Sequence, residues 1–234
     1  MTLTRVGILG GTFDPIHCGH LEAAAAVETA LGLTELQVIT SNVPPHRPPP
    51  AASSYHRFAM VSLAVAGHPG WRASDIELRD TARSFTSATL QKLHGQGYAP
   101  AELYFIIGAD AFADIASWVD YPAILEYANF AVVARPGHRI AELLDRLPAL
   151  AGRMVRPPLD DTRRGPLIVL LDAPTSDVSS TAIRERLARG ESIAGLVPDA
   201  VRQHIEQHDL YASTTPERRA GDGAPAPAAG RLHG

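Results

Sequence analysis

The sequence predicts an α/β fold, a single domain built on a doubly wound parallel sheet, and two observations carry this prediction. Short runs of Val, Ile and Leu are unbroken rather than alternating with polar residues, which is typical of strands buried on both faces. These runs alternate with segments of helical pattern, and such alternation builds a parallel sheet through right-handed crossovers. The 234 residues give room for one domain of this kind.

The predicted strands have a clear order along the chain. They lie at residues 6–9, 36–40, 75–78, 103–107, 130–134 and 167–171. The predicted helices between and after them lie at residues 21–31, 55–66, 87–94, 109–118, 123–127, 179–189 and 199–208. Gly32, Gly67 and Gly190 follow three of these helices, at the position where a glycine ends a helix. Trp71 is assigned to packing.

Two segments do not fit the alternation. Residues 44–50 contain five prolines, which exclude a helix or a central strand and predict an exposed loop of polyproline character. Residues 212–234 contain one leucine and no aromatic residue, so they bury too little apolar area to offset the entropy of ordering. We therefore expect a domain at residues 1–211 and a disordered tail at 212–234.

The composition excludes several classes of function. A net charge of −4 gives no general attraction to nucleic acid or acidic membranes, and the longest apolar runs are too short to span a bilayer. Residues 1–5 lack the pattern of a secretory signal. The one cysteine, Cys18, excludes an intramolecular disulfide and a cysteine-built zinc site, which fits a reducing cytoplasm. We expect no nucleic-acid or membrane partner, and a homo-oligomer remains possible.

Residues 10–20 are the most informative stretch, because they join the first strand to the first helix. Ligands of open parallel sheets bind beyond the carboxyl ends of strands, and the amides of a helix start attract anions. His17 and His20 share one face if the first turn has formed there, and both can donate to a phosphate. They could instead be surface or capping residues, or a metal pair with Asp14 as the only further ligand. The spacing matches neither a dinucleotide fingerprint nor a Walker loop.

A second element opens the predicted helix at 179–189. Ser179 or Ser180 can cap this helix, and hydroxyls at a helix start can bind phosphate. Arg184 lies one turn further on, where its guanidinium can reach the same anion. The alternative is an ordinary helix start with a surface arginine.

Residues 10–20 read Gly-Gly-Thr-Phe-Asp-Pro-Ile-His-Cys-Gly-His. They closely resemble the first signature of the nucleotidyltransferase superfamily, in the form found in bacterial nicotinate-nucleotide adenylyltransferases. Residues 179–184 are similar to its second signature, with Val178 in the place of the usual Ile. Residues 41–47, 108–110 and 197–211 extend the resemblance. It implies a Rossmann-like nucleotidyltransferase fold and adenylyl transfer from ATP to nicotinate mononucleotide in NAD biosynthesis, giving deamido-NAD and pyrophosphate.

The resemblance also implies roles for particular residues. The implied catalytic residues are His17, His20 and Arg184. The implied ATP-binding residues are Gly10, Gly11, Thr12, Phe13, Gly19, Gly108, Asp110, Ser180 and Thr181. The implied residues for nicotinate mononucleotide are Asn42, Arg47, Thr86 and Trp118. Mg²⁺ is expected to bind through the ATP phosphates, with no metal site made by the protein.

The second-substrate residues have distinct implied tasks. Trp118 is expected to stack on the nicotinate ring, Thr86 to contact its carboxylate and Arg47 to clamp the mononucleotide phosphate. Asp110 is expected to accept from ribose hydroxyls, with a helix cap as the alternative. Arg83 stands where the family has Pro and Ala88 where it has an acid. The strictness for nicotinate over nicotinamide is therefore left open.

Three other functions compete with this interpretation. A sister enzyme acting on phosphopantetheine shares the first signature, but the proline loop and Trp118 argue against it. A nucleotide-binding regulator without catalysis would not need His17, His20 and Arg184 together. An aminoacyl-tRNA synthetase fragment would need a Lys-Met-Ser-Lys-Ser-like loop and an RNA-binding appendage, and the sequence shows neither.

Overall fold

A seven-stranded parallel sheet forms the centre of the protein in this computed structural model, which describes residues 4–43, 48–79, 83–134, 140–160 and 165–212. The strands are β1 (Val6–Gly11), β2 (Glu35–Thr40), β3 (Trp71–Ser74), β4 (Leu103–Gly108), β5 (Asn129–Ala134), β6 (Met154–Val155) and β7 (Ile168–Asp172). Their order is β3-β2-β1-β4-β5-β7-β6, and every neighbouring pair is parallel. The chain thus runs outward from β1 to β3 and then crosses to β4, which confirms the doubly wound topology.

Helices cover the sheet between the strands. They are α1 (Cys18–Leu31), α2 (Ser54–Val65), α3 (Thr86–Gly95), α4 (Ala109–Phe112), α5 (Ile140–Arg146), α6 (Ser180–Ala188) and α7 (Asp199–Gln207). Short 3₁₀ turns lie at Pro100–Glu102, Ile115–Ser117, Ala123–Glu126 and Pro148–Arg153.

Each face of the sheet has its own apolar core. The helices α1, α2, α6 and α7 pack on one face, through buried residues such as Val27, Met60 and Ile183. The other face carries α3 and α4, through residues such as Leu90 and Phe112. This arrangement explains the unbroken apolar strands, because side chains on both faces of the sheet are withdrawn from water.

The predicted secondary structure is wrong in several places. Residues 75–78 form a turn instead of a strand, closed by the Leu78 amide donating to the Asp75 carbonyl at 2.8 Å, and the strand lies earlier, at β3. The helix predicted at 109–118 ends at Phe112, and 123–127 is a 3₁₀ turn over Ala123–Glu126. The helix α5 and the two-residue strand β6 were not predicted.

The two segments set apart by composition are only partly described. Residues 48–50 of the proline loop have no regular secondary structure, and residues 44–47 lie outside the described ranges. Of the predicted tail, only residue 212 is described, so its disorder stays a prediction.

Candidate active site

A cavity of about 820 Å³ opens at the carboxyl ends of β1 and β4. Its lining includes the predicted site residues Gly10, Gly11, Thr12, Phe13, His17, Gly19, His20, Thr86, Gly108, Asp110, Trp118, Ser180, Thr181 and Arg184. Asn42 is not among the lining residues, and Arg47 lies outside the described part of the chain. The fold therefore brings both signatures to one cavity, at the edge of the sheet where the sequence predicted a ligand site.

Two glycines of the first signature are required by close approach. A Cβ on Gly11 would lie 2.9 Å from the Phe13 ring, and Phe13 itself holds a positive φ of 50°. A Cβ on Gly19 would lie 3.1 Å from the carbonyl oxygen of Ser176. A side chain at Gly11 would have to displace the Phe13 ring, and one at Gly19 would press against the backbone of the segment before α6.

The two histidines of the first signature stack on each other. Their ring centroids are 3.6 Å apart, with an angle of 27° between the planes, which confirms that they share one face. The backbone N–H of His17 donates to Nδ1 of His20 at 3.3 Å. Because Nδ1 accepts, the neutral His20 ring carries its proton on Nε2 and can donate from there.

The second signature touches the first directly. Ser179 caps α6 by accepting from the Ala182 amide at 3.1 Å, as predicted. The Ser180 hydroxyl donates to the Pro15 carbonyl at 2.8 Å. Nη1 of Arg184 donates to the Asp14 carbonyl at 2.7 Å. These contacts fix the position of α6 relative to the loop after β1, although the two lie far apart in the sequence.

The Asp14 side chain has a structural role that the sequence analysis missed. It is 6% exposed and accepts from the amides of Ala51 and Ala52, at 2.8 and 3.0 Å, and from the Tyr211 hydroxyl at 2.8 Å. Burial, followed by the charge of Asp14, raises the pKa of Tyr211 far above its ordinary value, so this hydroxyl stays a donor. With its oxygens engaged in this way, Asp14 is not arranged as a metal ligand beside His17 and His20.

Arg57 is the second residue that the sequence analysis missed. It is 1% exposed and donates to four carbonyl oxygens, those of Thr12, Ser41, Asn42 and Ala52, at 2.7 to 3.3 Å. Burial lowers the pKa of Arg57, and the nearby Asp14 carboxylate opposes this shift. A guanidinium keeps its charge even so. The sequence signal was present, because Arg57 falls at helical spacing with the buried Met60, Val61 and Ala64.

The buried guanidinium connects the segments that form the cavity. Its acceptors lie just after β1, just after β2 and just before α2. These are loops without regular ladder partners, so their carbonyl groups would otherwise be buried without donors.

Trp118 and Thr86 also line the cavity. The Trp118 ring is half-buried and meets Phe105 edge to face, with centroids 6.3 Å apart. Thr86 is the first residue of α3. The backbone N–H of Asn42 donates to the Ser84 hydroxyl at 2.9 Å, which places Asn42 beside the loop that leads into α3. By contrast, Trp71 lies away from this cavity and donates to Glu28, in agreement with its assignment to packing.

Glu77 lies against the loop that leads into α3 and lines the same cavity. It is 9% exposed and accepts from the Thr89 hydroxyl at 2.6 Å. Burial raises the pKa of Glu77, and hydrogen bonds from the hydroxyls of Ser84 and Thr89 offset only part of this shift. The carboxyl thus connects α3 with the loop before it.

The cavity is suited to anions. Three carboxylate residues line it, of which Asp14 and Glu77 are buried and bonded to the protein, while Asp110 is exposed in α4. Its other polar groups include imidazoles, hydroxyls and the guanidinium of Arg184. A divalent cation accompanying a nucleotide would therefore be held mainly by phosphate oxygens, not by a cage of protein carboxylates.

The parallel sheet order and a cavity lined by both signature segments are typical of a nucleotidyltransferase-type domain. The family model described as cytidylyltransferase-like matches residues 8–186. None of the helices in the described parts of the chain has the length and apolar character of a membrane-spanning segment.

Individual relatives identify a more specific family within these proteins. A protein of Cronobacter sakazakii named "probable nicotinate-nucleotide adenylyltransferase" is 42% identical over 86% of this chain and 93% of its own length. A protein of Roseiflexus sp. with the same name is 43% identical over 90% of this chain and its own full length. The chain belongs to the nicotinate-nucleotide adenylyltransferase family, within the cytidylyltransferase-like proteins.

Solved structures agree on the fold. The Plasmodium falciparum nicotinic acid mononucleotide adenylyltransferase complexed with NaAD is 18% identical, with a TM-score of 0.66 over 89% of this chain and 97% of that one. The same enzyme complexed with APC gives a TM-score of 0.65.

Proposed function

We propose that this protein transfers the adenylyl group of ATP to nicotinate mononucleotide, giving deamido-NAD and pyrophosphate in NAD biosynthesis. The observation that carries this proposal is the direct contact of Ser180 and Arg184 with the loop of His17 and His20, at one anion-binding cavity. The family of the chain supplies the substrate class. The single cysteine fits a cytoplasmic location for this reaction.

The chemistry requires no general base. The nucleophile is a phosphate oxygen of the mononucleotide, which is already ionised at neutral pH. It attacks the α-phosphorus of ATP, and the bond between that phosphorus and the oxygen that bridges the α- and β-phosphates breaks, so that pyrophosphate leaves. The barrier is then lowered by aligning two anions and by stabilising charge in the transition state.

The residues of the two signatures meet these needs. His20 donates from Nε2 to a non-bridging oxygen of the α-phosphate, where charge builds in the transition state. His17, Thr12, Ser180 and Thr181 hold the triphosphate, together with the glycines of the first loop. Arg184 neutralises the leaving pyrophosphate, and its bond to the Asp14 carbonyl keeps the guanidinium in place.

The metal ion of the reaction is expected to bind together with ATP. Nucleotidyltransferases use a metal with ATP, and we propose Mg²⁺ held by the phosphate oxygens. When bound, Mg²⁺ reduces the charge on the leaving pyrophosphate. Asp110 is assigned to the ribose hydroxyls.

The part of the cavity lined by Trp118 and Thr86 is assigned to the second substrate. Trp118 offers an aromatic face to the pyridine ring. We assign the contact with the nicotinate carboxylate to Thr86, which lines the cavity, and to the backbone N–H groups at the start of α3. Asn42 lies beside the same loop. Arg47 is proposed as the clamp for the mononucleotide phosphate, on the resemblance alone.

One assay tests the function. The purified protein is given ATP and Mg²⁺ with nicotinate mononucleotide, nicotinamide mononucleotide or phosphopantetheine, and pyrophosphate release is measured. We expect the highest kcat/KM with nicotinate mononucleotide. A preference for phosphopantetheine would assign the chain to a sister activity, and ATP binding without pyrophosphate release would indicate a regulator.

A further inference from the structure

Three histidines meet at the contact between α2 and α7, outside the cavity described above. Nδ1 of His56 lies 3.1 Å from Nε2 of His204. The ring centroid of His208 is 4.8 Å from that of His56 and 4.5 Å from that of His204. Each of the three histidines has a ring nitrogen that lies within 4.8 Å of a ring nitrogen of both others.

The backbone holds these rings together for reasons unrelated to the histidines. His204 and His208 are four residues apart at the end of α7, so they share one face of the helix. The same helix buries Val201 and Ile205 in the core cluster that also contains Met60 and Val61 of α2. The apolar contact therefore fixes the spacing of the two helices, and the imidazoles extend from its edge, where His208 is exposed.

We propose that His56, His204 and His208 form a binding site for a divalent transition-metal ion such as Zn²⁺. Zinc–nitrogen bonds of about 2.0–2.1 Å in tetrahedral geometry place two ligand nitrogens about 3.3 Å apart. The 3.1 Å separation of His56 and His204 already fits this value. Rotation of the exposed His208 ring brings in the third nitrogen.

The protonation of the cluster is compatible with this site. A contact of 3.1 Å between two ring nitrogens is a hydrogen bond in which one donates and the other accepts. When a metal ion binds, the shared proton leaves for solvent and the donating ring takes up a proton on its other nitrogen, so that both rings bind the ion as neutral imidazoles. The fourth ligand is water, reached from the exposed side of His208.

The donor set also determines which ions bind. Imidazole suits Zn²⁺, Cu²⁺, Ni²⁺ and Co²⁺, whereas Mg²⁺ and Ca²⁺ require oxygen ligands. The Mg²⁺ that accompanies ATP therefore does not compete for this cluster.

A metal here has a structural effect rather than a catalytic one. His56 immediately precedes Arg57, and Tyr211, which donates to Asp14, follows α7 by a few residues. An ion joining the start of α2 to the end of α7 thus clamps the C-terminal segment beside the buried groups that support the cavity. The inference is independent of the proposed function, because its readouts are binding and stability.

The experiment uses the full chain without a polyhistidine tag. Zn²⁺ is titrated calorimetrically and Co²⁺ by its visible absorption, both in millimolar Mg²⁺. We expect one ion per chain, and a rise in Tm of about 5–10 °C at a hundredfold excess over Kd. The single variants His204→Gln and His208→Ala should each weaken Zn²⁺ binding at least about tenfold, by analogy with the loss of a supporting group at a metal site.

The matched control is His68→Ala, which removes an exposed histidine stacked on Trp71, away from the cluster. It should bind Zn²⁺ with unchanged affinity. Melting curves without metal show whether each variant is folded, and the exposed His208 is the substitution least able to disturb folding. Unchanged binding in both cluster variants would overturn the proposal, as would the absence of saturable binding at one equivalent per chain.

Discussion

The substitution Arg57→Met tests the support of the cavity, because it removes the buried guanidinium while keeping most of the side-chain volume. Four carbonyl oxygens lose a donor, and Asp14 loses a nearby positive charge. Removing one partner from a buried charged network costs about 3–5 kcal/mol. For a chain of this size, that loss lowers Tm by about 6–20 °C.

The assay for this prediction is urea unfolding followed by circular dichroism, with Arg79→Met as the matched control. Arg79 is exposed and, within the described part of the chain, forms an ion pair with Asp75 one turn away, so its loss should leave the unfolding midpoint nearly unchanged. Arg57→Met should also lower kcat/KM, since its acceptors include the Thr12 carbonyl in the cavity lining. A loss of stability below about 1 kcal/mol would refute this reasoning, because it would mean that the freed carbonyl groups find other donors.

Four further substitutions test other groups. His20→Ala should lower kcat about 10²–10³-fold with an unchanged Tm, because a transition-state donor is lost; near-normal turnover would remove His20 from the mechanism. Trp118→Ala should raise KM for nicotinate mononucleotide while KM for ATP is kept, and equal losses for both substrates would argue against stacking. Tyr211→Phe should cost about 1–3 kcal/mol in urea unfolding, because Asp14 loses a buried donor, and an unchanged midpoint would contradict that role. For Glu77, burial raises the pKa in the folded state, so the protein binds this proton more tightly than the unfolded chain. Its contribution to stability is present below the ordinary glutamate pKa and is lost as pH rises through the raised value. Glu77→Gln should remove that loss, and a pH–stability curve identical to the parent's would contradict it.

The structure of the local segments was predictable because the residues that determine it are neighbours in the sequence. The run from Gly10 to His20 combines a strand end, glycines and a helix start, so its position at the edge of the sheet follows from chain order alone. Ser179 as a helix cap was predictable for the same reason. The burial of β1 and β4 followed from their unbroken apolar pattern.

The missed groups depend on contacts between distant parts of the chain. Asp14 was considered only as a possible metal ligand, yet its partners lie at residues 51, 52 and 211. The role of Arg57 follows from carbonyl groups after β1 and β2 that no local pattern places beside it. The histidine cluster joins residues 148 positions apart.

The wrong strand at residues 75–78 has a local cause. Ile76 and Leu78 gave it an apolar pattern, but the backbone N–H groups of Leu78 and Arg79 both donate to the Asp75 carbonyl, at 2.8 and 3.2 Å, which closes a turn. Whether backbone groups pair locally in a turn or across strands in a sheet is not visible in hydrophobicity alone.

A crystal structure with a non-hydrolysable ATP analogue and Mg²⁺ tests the central claim most directly. We expect the α-phosphate within hydrogen-bond distance, about 3 Å, of Nε2 of His20, and the β- and γ-phosphates beside Ser180, Thr181 and Arg184. A triphosphate that contacts only one of the two segments, or that binds outside this cavity, would contradict the account.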